Sequence, residues 1–334
     1  MKTFITGSGA WLPENVVDNE DLAQRLAIDA ERIFKSSGIR SRRWAGQDTT
    51  TSSLGSRALE RAIADAEISP ASIDYLLFGT MTPDRFIPGS APALQKATGL
   101  REVPCLDIRA ACCNALYAMQ VASALVSSGT ARYVAICLAE IQSRFLDLTP
   151  ESATLSMLFG DGASALIVSA EPGPQPLEIV DVLLATDGSY ADDLGIRSPG
   201  TEFGGNTTHD IVEQRADFIP RMNGQAVILQ ASRRMVAASH ALLERNGLCA
   251  ESVRWIVPHQ ANANLLAQVA RGLGVVDGAT ELINVLAEYG NTSSASMGIA
   301  LDTLRRSGKI QAGDYLLLPA FAAGFTWGAA LIRG

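Results

Sequence analysis

The sequence has few cysteines, no long apolar run and no charged leader, which are features of disulfide-rich, membrane and secreted proteins. Its five cysteines are few for 334 residues and lie mostly in apolar segments, which argues against a disulfide-rich secreted fold and suits reduced thiols. No apolar run approaches the length of a membrane span, and no charged leader with a long apolar stretch opens the chain. We therefore expect a cytoplasmic protein with no membrane segment and no signal peptide.

Positive charge and metal ligands are also scarce. Charged residues make up 19% of the chain and the net charge is -8, which argues against a general nucleic-acid binder. Cysteine, histidine and acidic residues form no cluster with metal-ligand spacing, and the glycine-rich stretch 7–9 lacks the surroundings of a dinucleotide site. The sequence therefore predicts neither a bound metal nor a cofactor.

The chain is rich in apolar residues and in glycine. Hydrophobic residues make up 47% of it and 29 residues are glycine, and a chain of this length buries a large core without disulfides. Strand-like runs alternate with helical patterns throughout, which indicates α/β layers.

Two stretches of the chain repeat at long range. Residues 72–77 (SIDYLL) resemble residues 252–257 (SVRWIV), 180 positions later. The unit VPCLDIRAACCNALYAMQVASAL resembles LINVLAEYGNTSSASMGIALDTL, in which Asn291 stands 179 positions after Cys112. The two offsets agree within one residue, which indicates a duplication.

This repeat predicts how the chain is organised. We expect two similar halves, 1–172 and 173–334, joined at the proline-rich segment 171–176. Because equivalent turns of the two halves would meet at a shared centre, Cys112 and Asn291 should lie close together.

Cys112 is the candidate nucleophile. It lies between a predicted strand and a helix that opens near Asn114, where the positive end of the helix dipole lowers a thiol pKa and favours the thiolate. A thiolate is the form that attacks a thioester. Its position alone leaves open that Cys112 is a small buried hydrophobe. Cys113 would point about 100° away on a helix, so we assign it to packing.

His259 and Asn291 are candidate partners of that thiol. His259 follows a strand that ends in proline, in WIVPHQAN, and the carboxyl ends of strands are where α/β folds collect their chemistry. The alternative for His259 is a hydrogen-bonded core histidine. An isolated Gly-Asn is usually a turn or a helix cap, but Asn291 occupies the position that duplicates Cys112.

Across essentially its whole length, the chain resembles the ketoacyl-ACP synthase III type of condensing enzyme, in the thiolase superfamily. No single motif decides this, but seven in the same order are specific. The matching stretches are GIR at 38–40, DIRAAC at 107–112, FGDGA at 159–163, DGSY at 187–190, PHQAN at 258–262, GNTS at 290–293 and GFTWG at 324–328. The resemblance implies an α/β thiolase-like five-layer αβαβα fold, a homodimer, and a catalytic triad of Cys112, His259 and Asn291.

The resemblance also implies a reaction. Cys112 would be acylated by an acyl thioester, while the backbone N–H groups of Cys112 and Ala323 hold the oxyanion. His259 and Asn291 would then donate hydrogen bonds to the thioester carbonyl of malonyl-ACP as it loses carbon dioxide, and the carbanion would attack the acyl group. Neutral donors suit this step, so an asparagine at 291 favours carbon–carbon condensation in fatty-acid or polyketide-type biosynthesis. The partners implied are an acyl carrier protein and an acyl-CoA or acyl-ACP thioester.

Several positions depart from the resembled family. The family's tryptophan and arginine that hold the nucleotide of coenzyme A are replaced by Arg32 and Ser36, and its usual arginine after the His-Gln-Ala-Asn motif by Asn264. Such changes should weaken CoA binding, so we hypothesise a specialised enzyme loaded from a carrier protein or serving a secondary pathway. Alternatively, Arg32, Arg40, Arg42 and Arg43 bind the phosphate of coenzyme A in a different arrangement. The substrate-binding residues predicted on this side of the site are Arg32, Arg40, Asn262 and Asn264.

Further positions have assignments that follow from the same resemblance. In segment 81–89, Ile87 would close the acyl pocket of a neighbouring subunit, with Ile228 lining the same space; the alternative is ordinary interface packing. Arg233, Arg234 and Arg271 are candidates for docking an acidic carrier protein, or are simply solvated.

Two other functions remain open. One is acyl transfer from a thioester to an alcohol or amine, without a new carbon–carbon bond. The other is a non-catalytic partner subunit of a heterodimeric condensing enzyme, against which the intact triad argues.

Overall fold

A computed structural model describes residues 1–198, 200–201, 219–275 and 280–334. The strands are β1 (Phe4–Trp11), β2 (Val16–Asp18), β3 (Ser41–Arg43), β4 (Tyr75–Gly79), β5 (Cys105–Ile108), β6 (Tyr133–Glu140), β7 (Gly162–Ser169), β8 (Leu177–Thr186), β9 (Leu194–Gly195), β10 (Arg221–Met222), β11 (Val253–Ile256), β12 (Glu281–Leu282), β13 (Tyr315–Ala322) and β14 (Thr326–Arg333). The helices are α1 (Asn19–Leu26), α2 (Ala30–Ser37), α3 (Thr51–Asp65), α4 (Ala91–Thr98), α5 (Asn114–Ser127), α6 (Ala153–Ser156), α7 (Gly224–Arg245), α8 (Ala263–Gly272), α9 (Leu286–Tyr289) and α10 (Ser296–Arg306).

Ten strands form one sheet whose order repeats. Five of them run β1-β7-β6-β4-β5, and the other five run β8-β14-β13-β11-β12. In each run the first two pairings are antiparallel and the last two are parallel. The runs join in the middle, where β1 and β8 share a short pairing. From this matching order we propose that the chain is a duplication with its boundary between residues 172 and 173.

The two five-stranded runs of the sheet form two layers. Helices cover the outer face of each layer, and two further helices lie between the layers. α3 and α4 pack on the first run, and α7 and α8 pack on the second. α5 and α10 lie between the runs, within the largest hydrophobic core. The molecule therefore has the five-layer αβαβα arrangement of the thiolase fold.

The composition of the elements explains these layers. β6 and β13 are buried along nearly their whole length, as continuous apolar runs predict for strands covered on both faces. α5 carries apolar residues around most of its circumference, which suits a central helix. Any side chain at Gly7 or Gly9 would collide with the backbone of α3, so this glycine stretch lets the outer helix approach β1.

The two halves align differently from the offset seen in the sequence. Ala111 and Ser293 both have a φ of 49°, and each opens a 3-10 turn before a central helix, α5 or α10. This register pairs Cys112 with Ser294. The expectation that Asn291 duplicates the position of Cys112 is therefore wrong, because the turn geometry sets the register and the segments before the two turns differ in length.

Within the described ranges, no helix is both long enough and apolar enough to cross a membrane. In the same ranges, histidine, cysteine and acidic side chains form no group of three or more suited to a metal ion.

Candidate active site

A cavity of about 580 Å³ brings the three predicted catalytic residues together. Cys112, His259 and Asn291 all line it. Cys112 comes from the turn before α5, His259 from the segment after β11, and Asn291 from the segment after α9. Much of the remaining wall is apolar, with Leu155 and Phe321 among its residues. The site is thus assembled from both repeated runs of the chain.

Cys112 lies in the 3-10 turn Ala111–Cys113, directly before α5. The pKa of its thiol is raised to about 11, chiefly because the thiol is buried; a 3.5 Å contact between Sγ and the Ser293 hydroxyl lowers this pKa, and the nearby Glu140 carboxylate raises it. The expectation that the helix start would lower the pKa of this thiol is therefore wrong. The net shift is upward, with the loss of water around the thiol as its largest cause, and a raised pKa favours the neutral thiol at neutral pH.

His259 is 3% exposed, and its burial lowers the pKa of the imidazole to about 4, so the ring is neutral. Its backbone N–H donates to the Pro319 carbonyl at 3.0 Å, which fixes the segment against β13. Its Nδ1 lies 2.7 Å from the Ser296 hydroxyl. That same hydroxyl oxygen accepts the Gln260 backbone N–H at 3.3 Å. If the Ser296 hydroxyl donates to Nδ1, the imidazole proton lies on Nε2.

Asn291 is held by its backbone and its side-chain oxygen. Its N–H donates to the Leu158 carbonyl at 2.8 Å, and its own carbonyl accepts from the Gly160 N–H at 3.0 Å. Its Oδ1 accepts the Ser293 N–H at 2.8 Å. The amide NH₂ is consequently the end of the side chain left to donate to a molecule in the cavity.

Ala323 follows β13, in the tight turn that leads to β14, and Gly324 in that turn has a φ of 94°. Ala322 and Phe321, just before it, line the cavity. Ala323 and Cys112 both pack at the edge of the central core. The two backbone N–H groups predicted to form an oxyanion hole thus belong to two turns that border the same core.

The residues predicted to bind substrate divide into two groups. Arg32, Ile228, Asn262 and Asn264 line the cavity. The side-chain oxygen of Asn262 also accepts the Asn264 N–H at 2.8 Å, as the N-cap of α8. The amide groups of both asparagines donate to the Ser36 carbonyl, at 3.1 and 3.3 Å. Structural hydrogen bonds therefore already occupy part of their polar surface.

Arg40 and Ile87 lie outside this cavity wall. Arg40 is exposed and lies over the Phe34 ring, with its guanidinium carbon 5.5 Å from the ring centre. Ile87 is 78% exposed, so within one chain it does not close an acyl pocket. Ile228 lines the cavity of its own chain.

Three residues of the site region were missed in the sequence. Ser293 and Ser296 belong to a serine-rich run whose individual roles depend on distances that spacing does not give. Glu140 is fully buried and accepts hydrogen bonds from the Met81 N–H and the Ser294 hydroxyl. The sequence feature that could have identified Glu140 is a single charged residue at the end of an otherwise apolar strand.

The chain is similar to known proteins in both sequence and fold. The family model of 3-oxoacyl-[acyl-carrier-protein] synthase III matches residues 106–188, and the model of its C-terminal part matches residues 243–334. A beta-ketoacyl-[acyl-carrier-protein] synthase III from Chlamydia caviae is 37% identical over 99% of this chain and 97% of its own.

Two solved structures are also similar to this chain. The 3-oxoacyl-[acyl-carrier-protein] synthase III of Aquifex aeolicus has a TM-score of 0.89 at 31% identity, with 99% of this chain and 100% of that one covered. The priming beta-ketosynthase of the R1128 polyketide biosynthetic pathway has a TM-score of 0.88 at 31% identity, covering 99% and 95%.

Proposed function

The chain belongs to the 3-oxoacyl-[acyl-carrier-protein] synthase III family of condensing enzymes, and from that premise we propose that it condenses an acyl thioester with malonyl-ACP at Cys112. The observation that carries the proposal is the meeting of Cys112, His259 and Asn291 on the wall of one largely apolar cavity. An enzyme of this family needs no cofactor, because the acyl thioester brings the activated group.

In the first half-reaction, Cys112 Sγ attacks the carbonyl carbon of the donor thioester. The carbon–sulfur bond of the donor then breaks, and the proton of the Cys112 thiol leaves with the donor thiol. The negative charge that develops on the carbonyl oxygen is held by the backbone N–H groups of Cys112 and Ala323. The raised pKa of Cys112 keeps the thiol protonated between turnovers, and the Ser293 hydroxyl stabilises the thiolate as it forms.

In the second half-reaction, malonyl-ACP loses carbon dioxide and its electron pair becomes an enolate. Nε2–H of His259 and the amide NH₂ of Asn291 donate to the thioester oxygen where this charge develops. The enolate carbon attacks acyl-Cys112, the carbon–sulfur bond breaks, and the Cys112 thiolate leaves and takes up a proton. The product is a β-ketoacyl-ACP. A neutral His259 suits this role, because its proton stays on Nε2 across the physiological pH range.

The donor is an acyl group carried by a carrier protein in preference to coenzyme A. Among the described residues, Arg32 is the only cation on the cavity wall, whereas the nucleotide of coenzyme A carries three phosphate groups. The side-chain NH₂ groups of Asn262 and Asn264 already donate to the Ser36 carbonyl, so they have fewer N–H groups left to bind phosphate. A carrier protein presents the same thioester arm without that nucleotide.

The protein acts as a homodimer in the cytoplasm. β5 is an edge strand of the sheet, and Leu106 in it is 41% exposed, while Phe86 and Ile87 nearby are 72% and 78% exposed. Asp107 of β5 accepts the Ser90 N–H at 2.7 Å, which ties segment 81–89 to this edge. A second copy paired along β5 would cover these apolar side chains and bring Ile87 to the cavity of its partner. The free state of all five cysteines fits a reducing compartment.

The deciding experiment is intact-protein mass spectrometry after incubation with matched acyl-CoA and acyl-ACP donors. We expect an acyl adduct that is absent from Cys112→Ala, that forms faster from acyl-ACP, and that discharges when malonyl-ACP is added. Discharge onto an alcohol or amine without release of carbon dioxide would show an acyltransferase instead. Failure of every donor to acylate the protein would leave a non-catalytic partner subunit as the better description.

A further inference from the structure

Two motifs of the sequence, DGSY at 187–190 and GFTWG at 324–328, have no part in the chemistry described so far. The structure brings them together around Arg234 of α7. The Arg234 guanidinium lies 4.1 Å from the centre of the Trp327 ring and 5.3 Å from that of Tyr190. Its side chain is 18% exposed, so Arg234 is largely buried. This burial argues against the role in docking a carrier protein that was considered for it.

Arg234 is fixed in this position by polar contacts. One terminal nitrogen lies 2.8 Å from an Asp187 carboxylate oxygen, and its Nε donates to the Gln230 side chain at 3.0 Å. The Asp187 carboxylate also accepts the Ser189 hydroxyl at 2.6 Å. The hydrogen bond from the Ser189 hydroxyl, followed by the hydrogen bond and charge of Arg234, lowers the pKa of Asp187, so its carboxylate stays ionised.

The same cluster holds the residue that ends the β13–β14 turn. Tyr190 stacks on Phe325 with ring centres 4.7 Å apart and an angle of 5° between the rings. The Asp187 N–H donates to the Phe325 carbonyl at 2.9 Å. Phe325 is fully buried and meets Phe321, on the cavity wall, edge to face at 4.8 Å. Phe325 is thus held through both its ring and its carbonyl.

The opposite side of the turn is tied to the nucleophile. The Thr326 hydroxyl lies 2.9 Å from the Tyr117 hydroxyl of α5. The Thr326 carbonyl accepts the Cys113 thiol at 3.5 Å. Cys113 is the neighbour of Cys112 in the chain. The position of Thr326 therefore affects where the β13–β14 turn lies relative to the nucleophile.

We propose that Arg234 is a positioning residue for the oxyanion hole: with Asp187, Tyr190 and Trp327 it fixes the turn that carries the Ala323 N–H. This role rests on the proposed function, since it concerns acylation of Cys112. Loss of one oxyanion donor typically lowers a rate about 100- to 1000-fold. Displacement of a donor that is still present should cost less, and we expect acylation to fall about tenfold in Arg234→Met.

The test compares two reactions of the same thiol. Acylation by an acyl thioester builds an oxyanion, whereas alkylation by iodoacetamide substitutes at carbon and builds none. Arg234→Met should therefore acylate about tenfold more slowly but alkylate at Cys112 at the unaltered rate, with both followed by mass spectrometry. Arg132→Met is the matched control and should change neither rate. Arg132 also pairs with a carboxylate, that of Glu171, and lies over an aromatic ring, that of Tyr133, but it does not line the cavity.

Two more variants keep the test decisive if Arg234→Met does not fold. Arg234→Lys keeps the charge but loses the planar stack, and Tyr190→Leu removes the stack on Phe325 without touching the ion pair. Both should slow acylation selectively. Unchanged acylation in all three variants, or equal loss of acylation and alkylation, would overturn the role of Arg234. If the unaltered protein is acylated normally, such a result leaves the proposed function standing; if it is not acylated by any donor, both fail.

Discussion

Cys112 is subject to two opposing influences, the start of a helix and the loss of water around its thiol. The second prevails, and the pKa of the thiol is raised from 9.0 to about 11. A raised thiol pKa means a smaller thiolate fraction at every pH below it. We therefore expect the rate of iodoacetamide alkylation at Cys112 to rise about tenfold per pH unit between pH 7 and 10.

The measurement is peptide-level mass spectrometry of alkylation against pH, with the exposed Cys249 as an internal comparison in each sample. Cys112→Ala identifies the signal of the nucleophile. A plateau of the Cys112 rate below pH 8 would show instead that the helix start dominates and that the thiolate is present at rest.

Ser296 is predicted to set the tautomer of His259. In Ser296→Ala, Nδ1 loses its hydroxyl donor, so the imidazole proton is no longer held on Nε2. Decarboxylation of malonyl-ACP should slow about tenfold, the worth of one hydrogen bond, while acylation of Cys112 is unchanged. Single-turnover measurements of carbon dioxide release and of acyl adduct separate the two steps. Ser296→Thr retains a hydroxyl and should recover part of the rate; an equal loss in both steps would contradict this role.

At the level of single residues, the sequence predicts which residues lie at the site better than it predicts their pKa values and contacts. Cys112, His259 and Asn291 could be identified because strand ends, turns and ordered motifs are local features. The direction of the Cys112 pKa shift could not, because it depends on burial by segments far away in the chain. The roles of Ser293 and Ser296 likewise follow from distances between segments that spacing does not give.

Among the elements, α8 offers a test of what Asn262 does. Its side-chain oxygen caps the helix, so Asn262→Ala should lower the free energy of unfolding by about 1 kcal/mol, whereas Asn262→Asp keeps the cap and most of the stability. Urea unfolding of both variants measures the difference. Equal stability of Asn262→Ala and the unaltered protein would contradict the capping role.

The order of the elements was predictable from alternating strand and helix patterns, but their register across the halves was not. The 179-residue offset came from aligning residues of similar type. The small residues around Asn291 can be aligned with those around Cys112 in several registers, so residue type alone does not fix the offset. The left-handed backbone at Ala111 and Ser293 marks the true correspondence, and a sequence shows such a conformation clearly only when glycine occupies it.

At the scale of the whole molecule, the exposed edge of the sheet predicts self-association. Leu106→Asp places a charge on β5 where a second copy would pair, so this variant should sediment as a monomer while the unaltered protein sediments as a dimer. Leu229→Asp is the matched control, because Leu229 is 55% exposed on α7, away from this edge. A monomeric unaltered protein would contradict the proposed pairing and the reach of Ile87 into a partner.

Alternating strand and helix patterns in the sequence predict α/β layers, and the family resemblance predicts that there are five. The shape and size of the cavity do not, because it lies where α2, α7 and α8 face the turns of both runs. Its wall includes Arg32 near the start of the chain and Phe321 near its end, and only the folded chain shows which of the residues between them take part.

The position of the chain ends has a consequence for how this molecule can be rebuilt. Lys2, Phe4, Pro176 and Gly334 line one shallow surface cavity of about 400 Å³, so residues 2 and 334 lie on the same side as the proposed joint between the halves. A short linker from Gly334 to Met1 could therefore close the chain, and a cut after residue 172 could open it again. Such a circular permutant, with its halves in reverse order, would keep both faces of the active site. If that permutant condenses its substrates, the order in which the two halves are synthesised reflects ancestry and is not a requirement of catalysis.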